Sequence, residues 1–318
     1  MDSFDGRLAV VTGGGTGMGR ELVVQLAAAG ASVATCDVNL ATLDETAELA
    51  RKDAPDTVRI TTHQCDVSDP AAMDRFRDEV LAQHETDHVH LVFNNAGIGG
   101  GGSFVTATRE EWERTFGVCW GGVYNGSRSF LPLLVAAPEG HLVNTSSVNG
   151  FWASLGPGVP HTAYCSAKFA VKGFSEALME DLRLNAPHVK VSVVMPGHIG
   201  TDIVLNSAAI HSADKPVSDA ERAASVREAM ETRGFSPEGM DDEAVLGLVT
   251  AMGEAFRDNA PMSAAEAATV ILDAVKAGEW RILVGEDAKL LDERVRADPL
   301  SVYGAEAGGL DSIVLGAG

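Results

Sequence analysis

The chain has 318 residues, of which 45% are hydrophobic and 22% are charged, and its formal net charge is −21. This is the composition of a globular protein, and the acidic balance argues against nucleic-acid binding, which needs a clustered positive surface. The four cysteines follow no metal-ligand spacing, so we expect buried, reduced thiols. Without an apolar signal sequence or an apolar stretch of roughly 20 residues, the sequence predicts a soluble cytoplasmic protein with no membrane span.

Short apolar runs rich in β-branched residues alternate with segments of helical length. The predicted strands are Leu8–Thr12, Ser32–Asp37, Val58–Gln64, Val89–Asn94, His141–Ser146, Lys190–Met195 and Arg281–Val284. The predicted helices are Arg20–Ala29, Leu40–Lys52, Ala71–His84, Thr108–Leu134, Ala163–Asn185 and Ser263–Lys276. Parallel strands need crossover helices, so the pattern predicts a doubly wound, Rossmann-type α/β fold with about seven parallel strands and helices on both faces.

The alternation stops after the sixth predicted strand. Residues 200–261 contain helix-like pieces but no predicted strand, and long insertions in compact domains are usually functional. We therefore expect one domain over residues 1–318, in which 200–261 form a helical lid over the substrate. The glycine-rich end, residues 303–318, is expected to be a loose tail.

A glycine-rich loop directly follows the first predicted strand and runs into a helix. It contains Gly13, Thr16, Gly17, Met18 and Gly19 in the spacing TGxxxGxG. Glycines allow the backbone to approach a pyrophosphate closely, and the N-terminus of the helix offers free N–H groups to it. The loop is therefore predicted to bind a dinucleotide; the alternative is a flexible turn.

Asp37 ends the second predicted strand. A carboxylate at this position accepts hydrogen bonds from the adenosine ribose hydroxyls and repels a 2′-phosphate. The glycine loop has no basic residue before Arg20, so the sequence predicts NAD(H) rather than NADP(H). The alternative is that Asp37 only caps the next helix.

Tyr164 and Lys168 lie four residues apart on a predicted helix, which puts both side chains on one face. A tyrosine with a pKa of about 10 is a poor base at neutral pH, and a neighbouring ammonium favours the phenolate. Tyr164 can then exchange a proton with an alcohol or a ketone as hydride moves, while Lys168 also binds the nicotinamide ribose.

Six motifs occur in the order typical of the short-chain dehydrogenase/reductase family, over roughly residues 5–202, and the chain resembles that family. The motifs are TGGGTGMG at 12–19, Asp66-Val67, Asn94–Gly97, Ser146-Ser147, Tyr164–Lys168 and Pro196–Thr201. The resemblance implies that Asp66 and Val67 contact the adenine. It also implies that the cofactor cleft is lined by Asn94, Ala96 and Gly97, and its nicotinamide end by Pro196, Gly197, Ile199 and Thr201.

The resemblance also implies a third catalytic residue, Ser147, whose hydroxyl would bind the substrate oxygen. Ser146 is the alternative, because strand residues alternate faces and only one of the two can point into the cleft. One position departs from the family pattern: Cys119 stands where an asparagine usually completes the catalytic tetrad. A thiol is a weak donor and acceptor, so we interpret Cys119 as a core residue.

The substrate is predicted from the side chains near the catalytic segment. Trp152, His161 and His198, together with the apolar residues of 200–261, indicate a hydrophobic secondary alcohol or ketone as substrate. The alternative is that these side chains only pack the lid. Family resemblance implies a homodimer or homotetramer through the helices 108–134 and 163–185.

Two rival functions remain open at this stage. One is an NAD-binding sensor or scaffold whose tetrad is impaired at Cys119. The other is an epimerase or dehydratase of the related extended group, which the TGxxxGxG spacing disfavours.

Overall fold

Seven parallel strands form a single sheet in the computed structural model, which describes residues 1–156, 159–212, 218–232 and 236–303. The strands are β1 (Leu8–Thr12), β2 (Ser32–Asp37), β3 (Ile60–Gln64), β4 (Leu91–Asn94), β5 (Gly140–Thr145), β6 (Val189–Pro196) and β9 (Arg281–Val284). Their order across the sheet is β3-β2-β1-β4-β5-β6-β9. The predicted doubly wound fold is confirmed.

Helices cover both faces of this sheet. They are α1 (Gly17–Ala28), α2 (Leu40–Arg51), α3 (Pro70–His84), α4 (Arg109–Phe116), α5 (Gly122–Ala136), α6 (Thr162–Asn185), α10 (Ala264–Ala277) and α11 (Glu286–Ala297). The predicted helix 108–134 is confirmed as a continuous helical segment, and it contains a π-helical turn, Gly117–Gly121, between α4 and α5, which the sequence does not predict. Such turns are often found at functional sites.

The strand order reverses between β1 and β4. The chain runs outward from β1 to β3 on one side, then returns and runs outward from β4 to β9 on the other. Connections that leave in opposite directions open a crevice at the carboxyl ends of β1 and β4, where ligands bind in this fold. The glycine loop follows β1, and Asn95–Gly97 follow β4, so both lie at this crevice.

The core consists of two apolar layers, one on each face of the sheet. Val11 and Val33 belong to the layer that α1 and α10 cover, whereas Val10 and Ala34 belong to the opposite layer. Neighbouring residues of one strand enter different layers because successive side chains point to opposite faces. Helices cover both layers, which explains why the strands are apolar along their whole length.

The segment after β6 carries α7 (Ile203–Ser212), α8 (Asp219–Thr232) and α9 (Asp242–Asp258). It is framed by a short parallel ladder of β7 (Ile199–Gly200) and β8 (Met262–Ser263), which the sequence does not predict. A 3-10 turn, Ser301–Tyr303, ends the described chain, so the predicted tail beyond Tyr303 lies outside the described residues. Among the described helices none has the length and apolarity that crossing a membrane requires.

Candidate active site

The N-terminus of α1 lacks a side-chain cap. Its N-cap residue, Thr16, has extended backbone angles but makes no capping hydrogen bond, and the first turn carries no acidic residue. By contrast, Asn39 caps α2 and Asp69 caps α3 through their side chains. An uncapped helix start leaves backbone N–H groups for an anion, and the positive end of the helix dipole favours one. The predicted pyrophosphate site therefore fits the geometry of this loop.

The glycines of this loop are required by close backbone contacts. A Cβ on Gly19 would lie 2.0 Å from the carbonyl oxygen of Gly13, and a Cβ on Gly13 would lie 2.7 Å from the Cα of Ala96. Gly13 also has a φ of +68°, a conformation that other residues rarely adopt. The loop is a tightly packed turn, so the alternative of a flexible turn is wrong.

Asp37 is fixed at the adenosine side of the loop. Its Oδ2 accepts a hydrogen bond from the backbone N–H of Gly15 at 3.0 Å, and its Oδ1 accepts one from Asn39 at 3.1 Å. The cap of α2 is Asn39, which accepts from Ala41 and Thr42. The alternative that Asp37 is the helix cap is therefore wrong.

Arg20, the first cation after the glycine loop, is occupied elsewhere. Its guanidinium donates to the carbonyl oxygen of Gly15 at 2.7 Å and to the Thr46 hydroxyl at 3.0 Å, and it pairs with Glu45 at 3.2 Å. These bonds hold Arg20 between the loop and α2. Because its guanidinium is already bonded, Arg20 offers no free positive charge to the Asp37 carboxylate.

A cavity of about 730 Å³ extends along the carboxyl ends of the central strands. Most of the predicted cofactor residues line it: Gly13, Thr16, Gly17, Met18, Gly19, Asp37, Asp66, Val67, Ala96, Gly97 and Thr201. Asp66 is held by hydrogen bonds from the backbone and hydroxyl of Ser68, at 2.8 and 2.7 Å. The lining residues extend from the glycine loop to Asp66 and Val67, so the cavity is elongated as a dinucleotide site needs to be.

Besides Tyr164 and Lys168, which are described below, four predicted cofactor residues do not line this cavity. The Asn94 side chain is buried, and its amide donates to the side-chain oxygen of Asn144 at 2.9 Å. Its neighbour Asn95 lines the cavity instead, and it bonds Thr12 through its backbone N–H at 3.0 Å and its amide at 3.1 Å. Alternation of side chains along the strand explains why Asn95, and not the predicted Asn94, faces the cavity, so the cofactor role of Asn94 stays a prediction.

The other three belong to the predicted nicotinamide end. Pro196 is the last residue of β6, and the N–H of Gly197 donates to Val284 at 2.9 Å. The Ile199 side chain is buried in the core. Only Thr201 of this motif lines the cavity.

Tyr164, Ser147 and Lys168 meet behind Gly97. The Ser147 hydroxyl lies close enough to the Tyr164 phenol to lower the pKa of that phenol. The Lys168 Nζ lies 5.4 Å from the centre of the Tyr164 ring and donates to the carbonyl oxygen of Thr145 at 2.8 Å. This Nζ is also 3.5 Å from the Cβ position of Gly97, which lines the cavity. The three predicted catalytic residues therefore converge beside the cavity.

The protein's own groups do not hold the Tyr164 pKa down. Burial raises the pKa of the phenol well above its usual range, the nearby Cys119 thiol adds to this, and the Ser147 hydroxyl acts in the opposite direction. Burial also lowers the pKa of the Lys168 ammonium. Desolvation of the phenolate is thus the largest effect of the protein on this pKa, and the expectation that the Lys168 ammonium together with a positive nicotinamide favours the phenolate stays a prediction.

The two adjacent serines have different partners. Ser146 is buried and donates to the carbonyl oxygen of Lys168 at 2.8 Å, so it anchors α6 to β5. Ser147 accepts from the N–H of Asn149 at 3.1 Å, which leaves its own proton for the Tyr164 side. The structure thus favours Ser147 over Ser146 for the predicted role.

Cys119 lies within the π-helical turn and is fully buried. Its thiol donates to the carbonyl oxygen of Ile98 at 3.1 Å, and its sulfur is 3.8 Å from the Cβ position of Gly97. It is buried as predicted, but it also ties α4–α5 to the loop after β4. A thiol that makes this bond is more than a core-filling residue.

The three predicted substrate residues have separate environments. Trp152 is fully buried against Ala288 and Leu291, and its indole N–H donates to the carbonyl oxygen of Val302 at 3.0 Å. His198 bonds the carbonyl oxygen of Phe256 at 2.7 Å, so it attaches α9 to the sheet. Trp152 and His198 are therefore structural, and the interpretation of them as substrate contacts is wrong. His161 alone lies beside Tyr164.

Helix α7 forms one wall of the cavity. Ile203, Asn206 and Ile210 line it from one helix face, and the Asn206 amide donates to the Thr16 hydroxyl at 3.0 Å. His211 bonds the carbonyl oxygen of Gly99 at 2.8 Å, so α7 is attached to the loop after β4 as well. None of these α7 residues is among the predicted site residues, although the spacing of three and four between Ile203, Asn206 and Ile210 is the helical signal that could have found them.

Comparison with known proteins agrees with this geometry. Residues 7–228 match the sequence profile of the short chain dehydrogenase family. The chain belongs to the short-chain dehydrogenase/reductase family. It is 33% identical to SadH, an oxidoreductase of Mycobacterium tuberculosis, over 93% of this chain and 92% of that protein. It is also 34% identical to mouse epidermal retinol dehydrogenase 2, over 62% of this chain and 61% of the relative. The protein is a dehydrogenase/reductase that acts on CH–OH groups.

Solved structures of family members show the same fold. A Burkholderia phymatum short-chain dehydrogenase/reductase in complex with NAD has a TM-score of 0.73 and 27% identity, with 95% of this chain and 96% of that chain covered. A metagenomic short-chain oxidoreductase in complex with NADP has a TM-score of 0.53 and 31% identity, with 61% and 83% covered. The family thus uses a nicotinamide dinucleotide, and its members differ in which one they bind.

Proposed function

We propose that this protein interconverts a hydrophobic secondary alcohol and its ketone with NAD(H) as the hydride carrier. The observation that carries the proposal is the convergence of Tyr164, Ser147 and Lys168 beside a cavity whose other end presents the Asp37 carboxylate. Tyr164, Ser147 and Lys168 would act on the substrate at one end, while the Asp37 end would hold the dinucleotide that accepts or donates the hydride.

The proposed chemistry follows from the partners of each side chain. When bound, the oxidised dinucleotide supplies a hydride acceptor and a positive charge near the phenol, which favours the phenolate. Tyr164 takes the alcohol proton as the C–H bond breaks and a C=O bond forms, and it returns that proton in the reductive direction. Ser147 donates to the same oxygen and holds it in line. Lys168 fixes the end of β5 through Thr145 and supplies the positive charge behind Tyr164.

The choice of NAD(H) rests on Asp37. Its carboxylate is fixed by Gly15 and Asn39, and Arg20, the first cation after the glycine loop, is bound to the loop carbonyl. A 2′-phosphate brought to this place would meet an acid without a compensating base, whereas ribose hydroxyls would find an acceptor. Relatives of both cofactor types exist, so this preference is specific to the residues of this chain.

The choice of a hydrophobic substrate rests on the cavity wall. Ile98, Ile203 and Ile210 line the cavity opposite the glycine loop, and α7 covers it. An apolar wall with a few convergent polar groups is typical of sites for apolar small molecules. The similarity to a protein named retinol dehydrogenase, which by its name acts on a largely apolar alcohol, supports the same class.

We also propose the organisation around this site. The chain forms one domain over residues 1–318, in which 200–261 act as the substrate lid, and it functions in the cytoplasm as a homodimer or homotetramer. Tyr124 of α5 and Phe169 of α6 expose large aromatic surfaces on the helices expected to form the subunit interface. Size-exclusion chromatography with light scattering tests the oligomer.

The proposed reaction is tested by NADH absorbance with a panel of steroid, aromatic and aliphatic alcohols and ketones. Replacing the catalytic tyrosine, Tyr164→Phe, should lower kcat by about 100-fold or more, because it removes the proton donor and acceptor. Tyr124→Phe, on the exposed face of α5, is the matched control and should keep full activity. Full activity of Tyr164→Phe would refute the mechanism, and NADH binding without turnover on the whole panel would favour a sensor.

A further inference from the structure

Helix α6, which carries Tyr164 and Lys168, begins without a side-chain cap. Its N-cap residue is His161, whose side chain makes no capping hydrogen bond. Serine, threonine, aspartate and asparagine are strongly preferred at such a position. Instead, the first N–H groups of the helix, those of Thr162 and Ala163, donate to the carbonyl oxygens of Gly102 and Gly101 at 2.9 and 3.1 Å.

The run of four glycines at 99–102 makes this arrangement possible. Gly101 has a φ of +58°, and a Cβ on it would lie 2.6 Å from the Cβ of Ala163, so only glycine allows the loop to reach the helix start. The Thr162 hydroxyl donates to the same two carbonyls, to that of Gly101 at 3.2 Å and to that of Gly102 at 3.0 Å. The loop therefore performs the capping that a side chain at the N-cap usually performs, and the side chain of His161 is available for another role.

That side chain stacks on the catalytic tyrosine. The ring centroids of His161 and Tyr164 are 4.6 Å apart, and the ring planes are inclined by 27°. Side chains on a helix point back towards its N-terminus, which brings Tyr164 over the residue three positions earlier. Lys168, four positions later, places its Nζ 5.4 Å from the centre of the same ring. The phenol is thus bracketed along the helix by His161 and Lys168.

The imidazole contributes a ring face, not a charge. Burial lowers the pKa of His161 to about 4, so the ring is neutral at neutral pH. Among the described residues no hydrogen bond to its ring nitrogens is found, and the other titratable groups that affect Tyr164 are the thiols Cys119 and Cys165. The contact between the two rings is therefore one of packing and desolvation.

We propose that His161 is a positioning residue for Tyr164: its ring packs on the phenol and keeps the hydroxyl beside Ser147 and away from water. The proposal rests on the proposed function, because it assigns to Tyr164 the proton transfer that His161 supports. The neighbouring Ser147 hydroxyl alone would leave the phenol ring free to move, whereas a ring stacked on its face restricts that motion. Proton transfer depends on the position of the Tyr164 hydroxyl oxygen, and a displacement of about 1 Å can lower a rate by about 100-fold.

Two variants separate a ring contact from a role of the imidazole nitrogens. His161→Ala removes the ring, and we expect kcat to fall by about 10- to 100-fold while the Kd of NADH stays unchanged. His161→Phe keeps a flat ring and should restore most of the lost rate. His84→Ala is the matched control, because His84 is another partly buried histidine with a pKa lowered to about 4, and it lies at the end of α3.

A second readout does not depend on turnover. The sequence has three tyrosines, so the ionisation of Tyr164 can be followed by tyrosinate absorbance and assigned with Tyr164→Phe. Because burial is the main cause of the raised pKa of Tyr164, His161→Ala should lower that pKa by admitting water, and His161→Phe should leave it raised.

The outcomes are decisive in each case. Loss of rate and a lowered Tyr164 pKa in His161→Ala, both reversed in His161→Phe, support the proposal. An unchanged rate or an unchanged pKa in His161→Ala overturns it, and so does a phenylalanine variant as impaired as the alanine variant. If no substrate is found, the proposed function fails, but the titration still decides whether His161 shields the phenol.

Discussion

Replacing Asp37 by asparagine should relax the selectivity for NADH over NADPH. The side chain keeps its shape and one acceptor oxygen for the N–H of Gly15, which is now bonded at 3.0 Å, but it loses its charge. Two unit charges about 4 Å apart interact by about 4 kcal/mol at an effective dielectric constant near 20. Asp37 is half-buried, and salt screens the remainder, so we take about half of this, or about 2 kcal/mol. That energy corresponds to about a 30-fold gain in NADPH affinity relative to NADH.

The assay is a titration of protein with NADPH and with NADH, followed by fluorescence energy transfer to the nicotinamide at two salt concentrations. The control is Asp44→Asn, which removes an exposed carboxylate from α2 that accepts a hydrogen bond from the Thr62 hydroxyl at 3.1 Å. It changes the net charge equally and should leave the ratio of affinities unchanged. An Asp37→Asn protein that is folded and still discriminates as strongly as the parent would refute the electrostatic reasoning. So would an equal change in the control.

Two predictions concern stability. Trp152→Phe removes the indole N–H that donates to Val302 at 3.0 Å and leaves a cavity among buried residues. The free energy of unfolding, measured by urea titration, should therefore fall by about 2–3 kcal/mol. Unchanged stability would contradict a structural role of Trp152. Burial lowers the pKa of His141 to about 3, so its folded-state pKa is below the unfolded value near 6.5, and the stability it contributes is present above pH 6.5 and is lost as the pH falls towards 3. At pH 5 the parent protein should have lost about 2 kcal/mol of this stability relative to pH 7. His141→Gln has no imidazole to protonate, so its free energy of unfolding, measured by denaturation at pH 7 and pH 5, should fall by about 2 kcal/mol less than that of the parent. An identical pH dependence of the two proteins would contradict the assignment.

Local sequence patterns were sufficient for the architecture and for the cofactor loop. The buried runs from Leu8–Thr12 to Arg281–Val284 became the seven strands, because parallel strands covered on both faces must be apolar along their whole length. The glycines at 13, 17 and 19 and the acid at Asp37 also stood where predicted, since a turn between a strand and a helix is set by neighbouring residues. The spacing of Tyr164 and Lys168 placed both on one helix face for the same reason.

Contacts between distant segments were not accessible in this way. Whether Ser146 or Ser147 faces the phenol depends on α6 packing against β5, and whether Asn94 or Asn95 lines the cavity depends on its bonds to Asn144 and Thr12. Trp152 looked like a substrate contact because it lies close in sequence to the catalytic residues, yet a segment 150 residues later buries it.

The sequence by itself thus determined the strands, the helix that carries Tyr164 and Lys168, and the position of the Asp37 carboxylate beside the glycine loop. Only the tertiary structure decided how the Tyr164 phenol is surrounded: by Ser147 two residues after β5, by His161 at the start of α6, and by a buried thiol, Cys119, from a π-helical turn. The physical reason is that periodicity reports which side of an element a residue faces. The polarity that a side chain meets there, and hence its pKa, is set by whichever segments fold against it.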